Sequence, residues 1–240
     1  MRKALIFFSL VTLFFFLPVL SFAQKIKKSN SSPRIELSEK SWDFGHVPRE
    51  IKVSHIFLIK NSGTDTLVIS RVRSDCGCTH TPLSKSRVPP NQTAELELIF
   101  NPLKFRGQIS KAVSIVCNDT SGSSTDIAFT AQVGLENPMV KLNPQGILFG
   151  ELTPAQKLTK NVRVRNTSGT AISISVVQNP RDFIVCQIEK TELSADESAD
   201  IYFHTNPPLP TGLFRTSLTL DFIGSDKIRC TIPVQGTVTR

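Results

Sequence analysis

Along most of this chain the side chains alternate in short runs of period two. Val53, His55, Phe57 and Ile59 share one side of an extended segment, Ser54, Ile56, Leu58 and Lys60 the other, and the run ends at Asn61-Ser62-Gly63. Period two is the signature of a strand, and Asn, Ser and Gly supply the turn that closes it. Similar runs occupy Leu67 to Val72, Ala94 to Phe100, Ile109 to Cys117 and Ile127 to Val133, each followed by turn-forming residues. No long segment repeats every three to four residues as a helix would. The pattern predicts an all-β sandwich or barrel.

The same pattern recurs. Shifting the chain by 105 residues lays Phe44-Gly45 on Phe149-Gly150, Asn61 on Asn166, Leu67 and Ile69 on Ile172 and Ile174, and Asn101-Pro102 on Asn206-Pro207. Gly107 then meets Gly212, Val113 and Ile115 meet Leu218 and Leu220, and Val133 meets Val238. Generic β patterning would lose phase across the loops, whereas here it holds from Ile35/Val140 to Val133/Val238. The expectation is two tandem immunoglobulin-like sandwiches of about seven strands each, 35–134 and 139–240, joined by the short linker Gly134 to Pro138. So short a linker leaves the pair little freedom.

The amino terminus carries different information. Arg2 and Lys3 precede an apolar stretch from Ala4 to Leu20, followed by Ser21-Phe22-Ala23, the layout of a signal peptide (1–23) cleaved after Ala23. Export to the periplasm or the exterior is expected, with no membrane span once the signal is gone. The net charge of +8 invites a nucleic-acid reading. Its distribution argues against one: residues 1–34 hold six basic and no acidic groups, including the basic polar tail 24–34, whereas 35–137 hold eleven of each. A solvated tail carries the excess rather than a folded face. The chain shows no nucleophile elbow, no zinc-protease helix motif and no phosphate-cradling glycine loop, so an enzyme is not expected and a protein partner in the envelope is.

Trp42 precedes every cysteine, which separates these sandwiches from the antibody type with its Trp between paired cysteines. Asp43-Phe44-Gly45, Val53-x-His55-x-Phe57, Asn61-x-Gly63, Leu67-x-Ile69, Ser74-Asp75-Cys76-Gly77-Cys78-Thr79 and Gly107 with Lys111 resemble the exported bacterial family known as domain of unknown function 1573. The resemblance covers residues 35 to 133. It implies an immunoglobulin-like fold of the major-sperm-protein and hydin kind and a bacterial envelope setting, and it implies no activity. Two details depart from the family pattern: Asp75 is an extra residue between Ser74 and Cys76, and Pro89-Pro90-Asn91 replaces a Pro-Gly turn. The second repeat lacks the motif and has Arg181-Asp182-Phe183 in its place.

Cys76, Cys78 and His80 are spaced to share one face of an extended segment. If 53–60 and 66–75 form a hairpin, His55 lies at the same pole and could complete a soft-ion site for Cu(I) or Zn(II) with Cys76, Cys78 and His80. Three other readings stay open. Cys76 and Cys78 could close a disulfide on each other, suited to a redox role, could be small buried residues beside a turn with His55 a packed strand residue, or one of them could bridge elsewhere. Cys117 is expected at the opposite pole, pairing of Cys186 with Cys230 is left open, and His46 and His204 have no companions.

Overall fold

The computed structural model describes residues 32–135, 137 and 139–240. The expected signal peptide 1–23 and residues 24–31 of the tail lie outside the described residues. Those that are described contain no helix, hence none long and apolar enough to cross a membrane. The first repeat supplies β1 (Ile35–Leu37), β2 (Ser41–Val47), β3 (Val53–Asn61), β4 (Leu67–Ser74), β5 (Thr79–His80), β6 (Arg87–Val88), β7 (Thr93–Phe100), β8 (Gly107–Cys117) and β9 (Ser124–Val133). The second supplies β10 (Val140–Asn143), β11 (Ile147–Leu152), β12 (Thr159–Asn166), β13 (Ile172–Gln178), β14 (Ile184–Ile188), β15 (Glu192–Leu193), β16 (Ser198–Thr205), β17 (Gly212–Ile223) and β18 (Lys227–Val238). Each repeat thus has nine strands where seven were expected, because turn-flanking pairs such as Arg87–Val88 and Glu192–Leu193 also join a ladder.

Each repeat has a small sheet, in the orders β1-β3-β7-β5 and β10-β12-β16-β14. Their larger sheets run together into one of ten strands, β15-β13-β17-β18-β2-β9-β8-β4-β6, with β11 also pairing β18. One core gathers Phe44, Phe57, Leu96, Phe100 and Phe129. The other gathers Phe149, Ile201, Phe203, Leu218 and Phe222. The architecture is all-β, as the alternation predicts, and immunoglobulin-like, as the family resemblance implies.

The duplication extends to backbone conformation. Left-handed φ values fall on Gly45 and Gly150, on Asn91 and Asp196, and on Gly107 and Gly212, each pair 105 residues apart. Asn91 and Asp196 show how the turn does without the family's glycine, since short polar side chains tolerate the left-handed region best after glycine. Asn61 Nδ2 donates to the carbonyls of Asp65 and Val88, at 2.7 and 2.8 Å. Asn166 Nδ2 donates to those of Thr170 and Leu193, at 2.6 and 3.1 Å, which are the equivalent positions. Both asparagines are fully buried and tie their own turn to the short strand 27 residues on.

The second sandwich packs its large sheet against the first. In β8 burial alternates from Val113 to Cys117, one face being wet, whereas Thr216 to Phe222 of β17 is buried on both faces. Ser217 and Thr219 of β17 and Thr231 of β18 lie under that cover beside Asp221, and all are paired. Ser217 Oγ accepts from Ser54 N at 3.0 Å, Thr231 Oγ1 donates to the Phe44 carbonyl at 2.7 Å, and the hydroxyls of Thr219 and Thr231 lie 2.9 Å apart. The strands meet at His46 and Cys230, where β2 joins β18 in parallel. Gly45 permits this approach: a Cβ there would collide with the Arg229 carbonyl. Arg229 in turn pairs with buried Asp221 at 2.7 and 3.0 Å and lies 5.7 Å from the Trp42 ring.

Two predictions follow from these polar contacts. Asn166→Ala leaves buried carbonyls unpaired and should destabilise the protein by about 1–3 kcal/mol, read from a chemical denaturation midpoint, with Asn61→Ala behaving alike. Burial acts to raise the Asp221 carboxyl, but hydrogen bonds from Arg229 and Lys227 outweigh it and hold the group below the usual aspartate range. A depressed carboxyl contributes stability that is complete above its unfolded value of about 3.9 and is lost as pH falls through the lower folded value. Thermal melts should therefore fall on acidification below about pH 4, and Asp221→Asn should lower the neutral-pH melt while flattening that acid limb.

Candidate functional site

The Cys-Gly-Cys segment crosses from the large sheet to the small one at one end of the first sandwich. β4 stays in register with β8 up to the Ser74–Val113 pair. Asp75 then ends the ladder: its N–H donates to the Ala112 carbonyl and its carboxylate accepts from the Ala112 N–H, both at 3.2 Å. The extra residue is thus a cap that substitutes a side-chain oxygen for the missing backbone acceptor. Beyond the turn, Asn101 N donates to the Cys78 carbonyl at 2.9 Å and Thr79 pairs with Phe100, which draws the chain into the small sheet. The Ser74 hydroxyl lies 2.8 Å from the Cys76 carbonyl and 3.1 Å from that of Thr79, bracing the turn from inside.

Cys76 and Cys78 are joined by a disulfide. Of the readings left open by the sequence, this is the one the structure holds. Cys78 packs against the first core, while Cys76 is half-buried outside it and Gly77 is exposed. The Thr79 hydroxyl lies 3.7 Å from Cys76 Sγ and 3.6 Å from Cys78 Sγ, within reach of either sulfur. A cross-link over one intervening residue closes so small a loop that chain entropy contributes only about 1.6 kcal/mol, against about 3 for a loop of fifteen residues. It is poorly placed to act as a structural staple.

The other thiols contrast with it. Burial pushes both Cys186 and Cys230 up to about 12, and Cys230 also accepts a hydrogen bond from Asn137 Nδ2 at 2.8 Å. Cys117 is buried at the opposite pole, as expected, with its thiol raised by desolvation. Cys186 on β14 and Cys230 on β18 belong to different sheets and stay unpaired. Held protonated, these three are weak nucleophiles.

The structure does not assemble the four expected metal donors. β7 stands between β3 and β5, with His55 opposite Leu98 and His80 opposite Ile99, so that one ring points inward and the other outward. His80 is exposed, whereas His55 is 6% exposed and stacks on Trp42 with ring centres 3.7 Å apart. Both ring nitrogens of His55 are engaged: Nε2 lies 2.8 Å from Glu39 Oε1, and Nδ1 meets Gln178 Oε1. Gln178 is oriented by its own amide, whose Nε2 donates to the carbonyls of Ser54 and Ser217. Among the described residues no three His, Cys, Asp or Glu side chains stand close enough to share an ion. Adjacent topological poles were legible in the sequence, but which face each ring takes depends on the strand inserted between them.

The equivalent loop in the second repeat has another task. Phe183, at the place of Cys78, packs edge-on against Phe214 at 5.2 Å, and Phe214 stands where the first repeat has Ile109. Arg181, at the place of Cys76, reaches Glu95 of the first sandwich at 3.1 Å. Gln178, Arg181, Ser217 and Thr231 contribute to the seam between the repeats; in the sequence Arg181 stood out only as the replacement for Cys76, and the other three not at all. The available signal was faint: Thr216 to Leu220 and Cys230 to Gly236 carry no charge on either side of the strand.

The family model described as Protein of unknown function (DUF1573) matches residues 35–133. The match spans the first sandwich. Its Cys-Gly-Cys loop and its Asn61 turn both fall inside the matched span. No curated protein sequence matches the chain. Among solved structures, the chain is similar to a protein of unknown function from Porphyromonas gingivalis W83, with 10% identity over 85% of this chain and 99% of that one and a TM-score of 0.38. It is also similar to the PapD-like domain 7 of human CEP192, with 12% identity over 51% and 99% and a TM-score of 0.37. A third is the E. coli chaperone DraB, with 11% identity over 86% and 97% and a TM-score of 0.33.

A thiol count tests the assignment of sulfurs in the first sandwich and its neighbour. Alkylation of the denatured, unreduced protein should mark Cys117, Cys186 and Cys230 alone, and reduction beforehand should add Cys76 and Cys78, read by peptide mass spectrometry.

Proposed function

We propose that this chain is an exported, non-enzymatic protein of the bacterial cell envelope whose joined sandwiches act as a protein-interaction module. The observation that carries the reading is the outer edge of β14. This strand pairs with β16 on one side only and reads Ile184-Val185-Cys186-Gln187-Ile188, without a charge or a proline. Edges of this kind are normally blunted, because a bare row of N–H and C=O groups recruits another strand. Val185 is 47% exposed on it, and Gln187 also points to solvent. The corresponding edge of the first sandwich, β5, has only two paired residues and is closed by Pro82. An unprotected edge retained on one repeat is suited to taking a partner's strand, with backbone hydrogen bonds providing affinity and Val185 contributing to selection.

A photo-crosslinking residue at position 187 in cells should capture a discrete envelope protein, and Val185→Lys should abolish the adduct while leaving the melting temperature within a few degrees. Capture that is indifferent to the lysine would count against β14 as the contact. Intact mass of the exported protein should correspond to a chain beginning at Gln24, and retention of residues 1–23 would contradict cleavage.

A further inference from the structure

We propose that the Cys76–Cys78 disulfide is a thiol–disulfide exchange site for an extended, cysteine-bearing polypeptide segment that pairs with the free end of β8. This site is separate from the β14 edge. β8 pairs with β9 along its whole course, from Gly107 opposite Val133 to Val116 opposite Ser124. On its other side β4 reaches only Val113, with Asp75 adding contacts to Ala112. Gly107 to Lys111 therefore lack a second neighbour among the described residues. Ala112 turns both its N–H and its carbonyl toward Asp75, and backbone direction alternates along a strand, so Ser110 and Gln108 turn theirs the same way, into solvent. Both side chains are exposed. A visiting segment of about four residues would extend the line of β4 and begin beside Cys76.

The chemistry at that point is balanced by the partner. A thiolate of the visiting segment attacks Cys76 Sγ, the sulfur that is not packed on the core. The Cys76–Cys78 bond breaks as the new sulfur–sulfur bond forms, and Cys78 leaves as a thiolate to which the Thr79 hydroxyl can donate. A second thiol of the same segment, once deprotonated, attacks the segment's own sulfur in the mixed disulfide and releases Cys76. Two electrons and two protons pass to the chain: the segment gains a disulfide, and Cys76 and Cys78 end as thiols. A segment with a single cysteine stops at the mixed disulfide.

The second repeat lacks this arrangement. There the Phe183–Phe214 pair occupies the rim, and the Arg181 N–H donates to the Thr216 hydroxyl at 2.9 Å, beside β17. The two repeats share the scaffold, so the half-buried rim disulfide and the free end of β8 occur together only where the aromatic plug is absent.

The test uses the oxidised chain from Gln24 to Arg240 and a synthetic two-cysteine peptide of valine and threonine residues, with glutathione as a small thiol that cannot pair with a strand. Reactions are stopped with iodoacetamide and mapped by mass spectrometry. The peptide should react about tenfold or more faster than glutathione at equal thiolate concentration, since pairing raises its local concentration, and the trapped adduct should sit on Cys76 with Cys78 alkylated. Methylating the peptide's backbone nitrogens should return its rate to that of glutathione. Ser110→Pro, which removes an edge N–H, should do the same without changing the glutathione rate, and the methylated peptide keeps the test valid should that variant fold poorly. Equal rates for peptide and glutathione, an adduct on Cys78, or indifference to methylation would overturn the proposal.

Discussion

Everything distinctive in this molecule depends on the close approach of β18 to β2. A parallel contact between His46 and Cys230 can form only because Gly45 adopts a left-handed φ of 62° and carries no Cβ to meet the Arg229 carbonyl. That approach brings a whole polar face under cover. Ser217, Thr219 and Thr231 would be costly there if unpaired, at about 1–3 kcal/mol for each orphaned group. They are tolerated because Ser54, Phe44 and one another supply the missing partners. Directional hydrogen bonds over a covered face hold one relative placement where greasy contact would allow several.

The consequence is a division of labour between two copies of one fold. In each, the loop after the fourth strand leaves the large sheet at the same place. The second copy uses the end of β13 and the loop after it for assembly: Gln178 orients against His55, Arg181 pairs with Glu95, and Phe183 seals the rim. The first copy has no sandwich to grip at that end, and there the loop carries Cys76 and Cys78 with Thr79 beside both sulfurs. Since the second copy folds with Arg-Asp-Phe in that place, and the cross-link closes a minimal loop, the fold itself does not require the cysteines. Burial meanwhile quiets the remaining thiols, so sulfur chemistry concentrates at the rim.

The fold was largely readable because alternation and turn residues are local consequences of backbone geometry. The shared Asn61 and Asn166 hubs, and the left-handed positions at 45/150, 91/196 and 107/212, are where the repeat had to keep register. His55 illustrates the opposite case. The hairpin placed it at the pole of the Cys-Gly-Cys loop, but the insertion of β7 between β3 and β5 put the two histidines on opposite faces, and the second repeat then captured His55 through Gln178. No pattern within the first hundred residues could announce a partner 123 positions away.

By itself, the sequence determined the β class, the duplication, the segments that form strands and the singular chemistry of the first loop, because each of these follows from side-chain period, turn stereochemistry or residue identity at short range. Only the tertiary structure decided that the two large sheets fuse, that a polar face is buried between them, that Cys76 and Cys78 bond to each other, and that β14 and the end of β8 are left with open edges. These are matters of which groups find which partners across space. Pairing is settled by geometry between distant segments, and a serine that ends up fully buried looks, in sequence, like one that faces water.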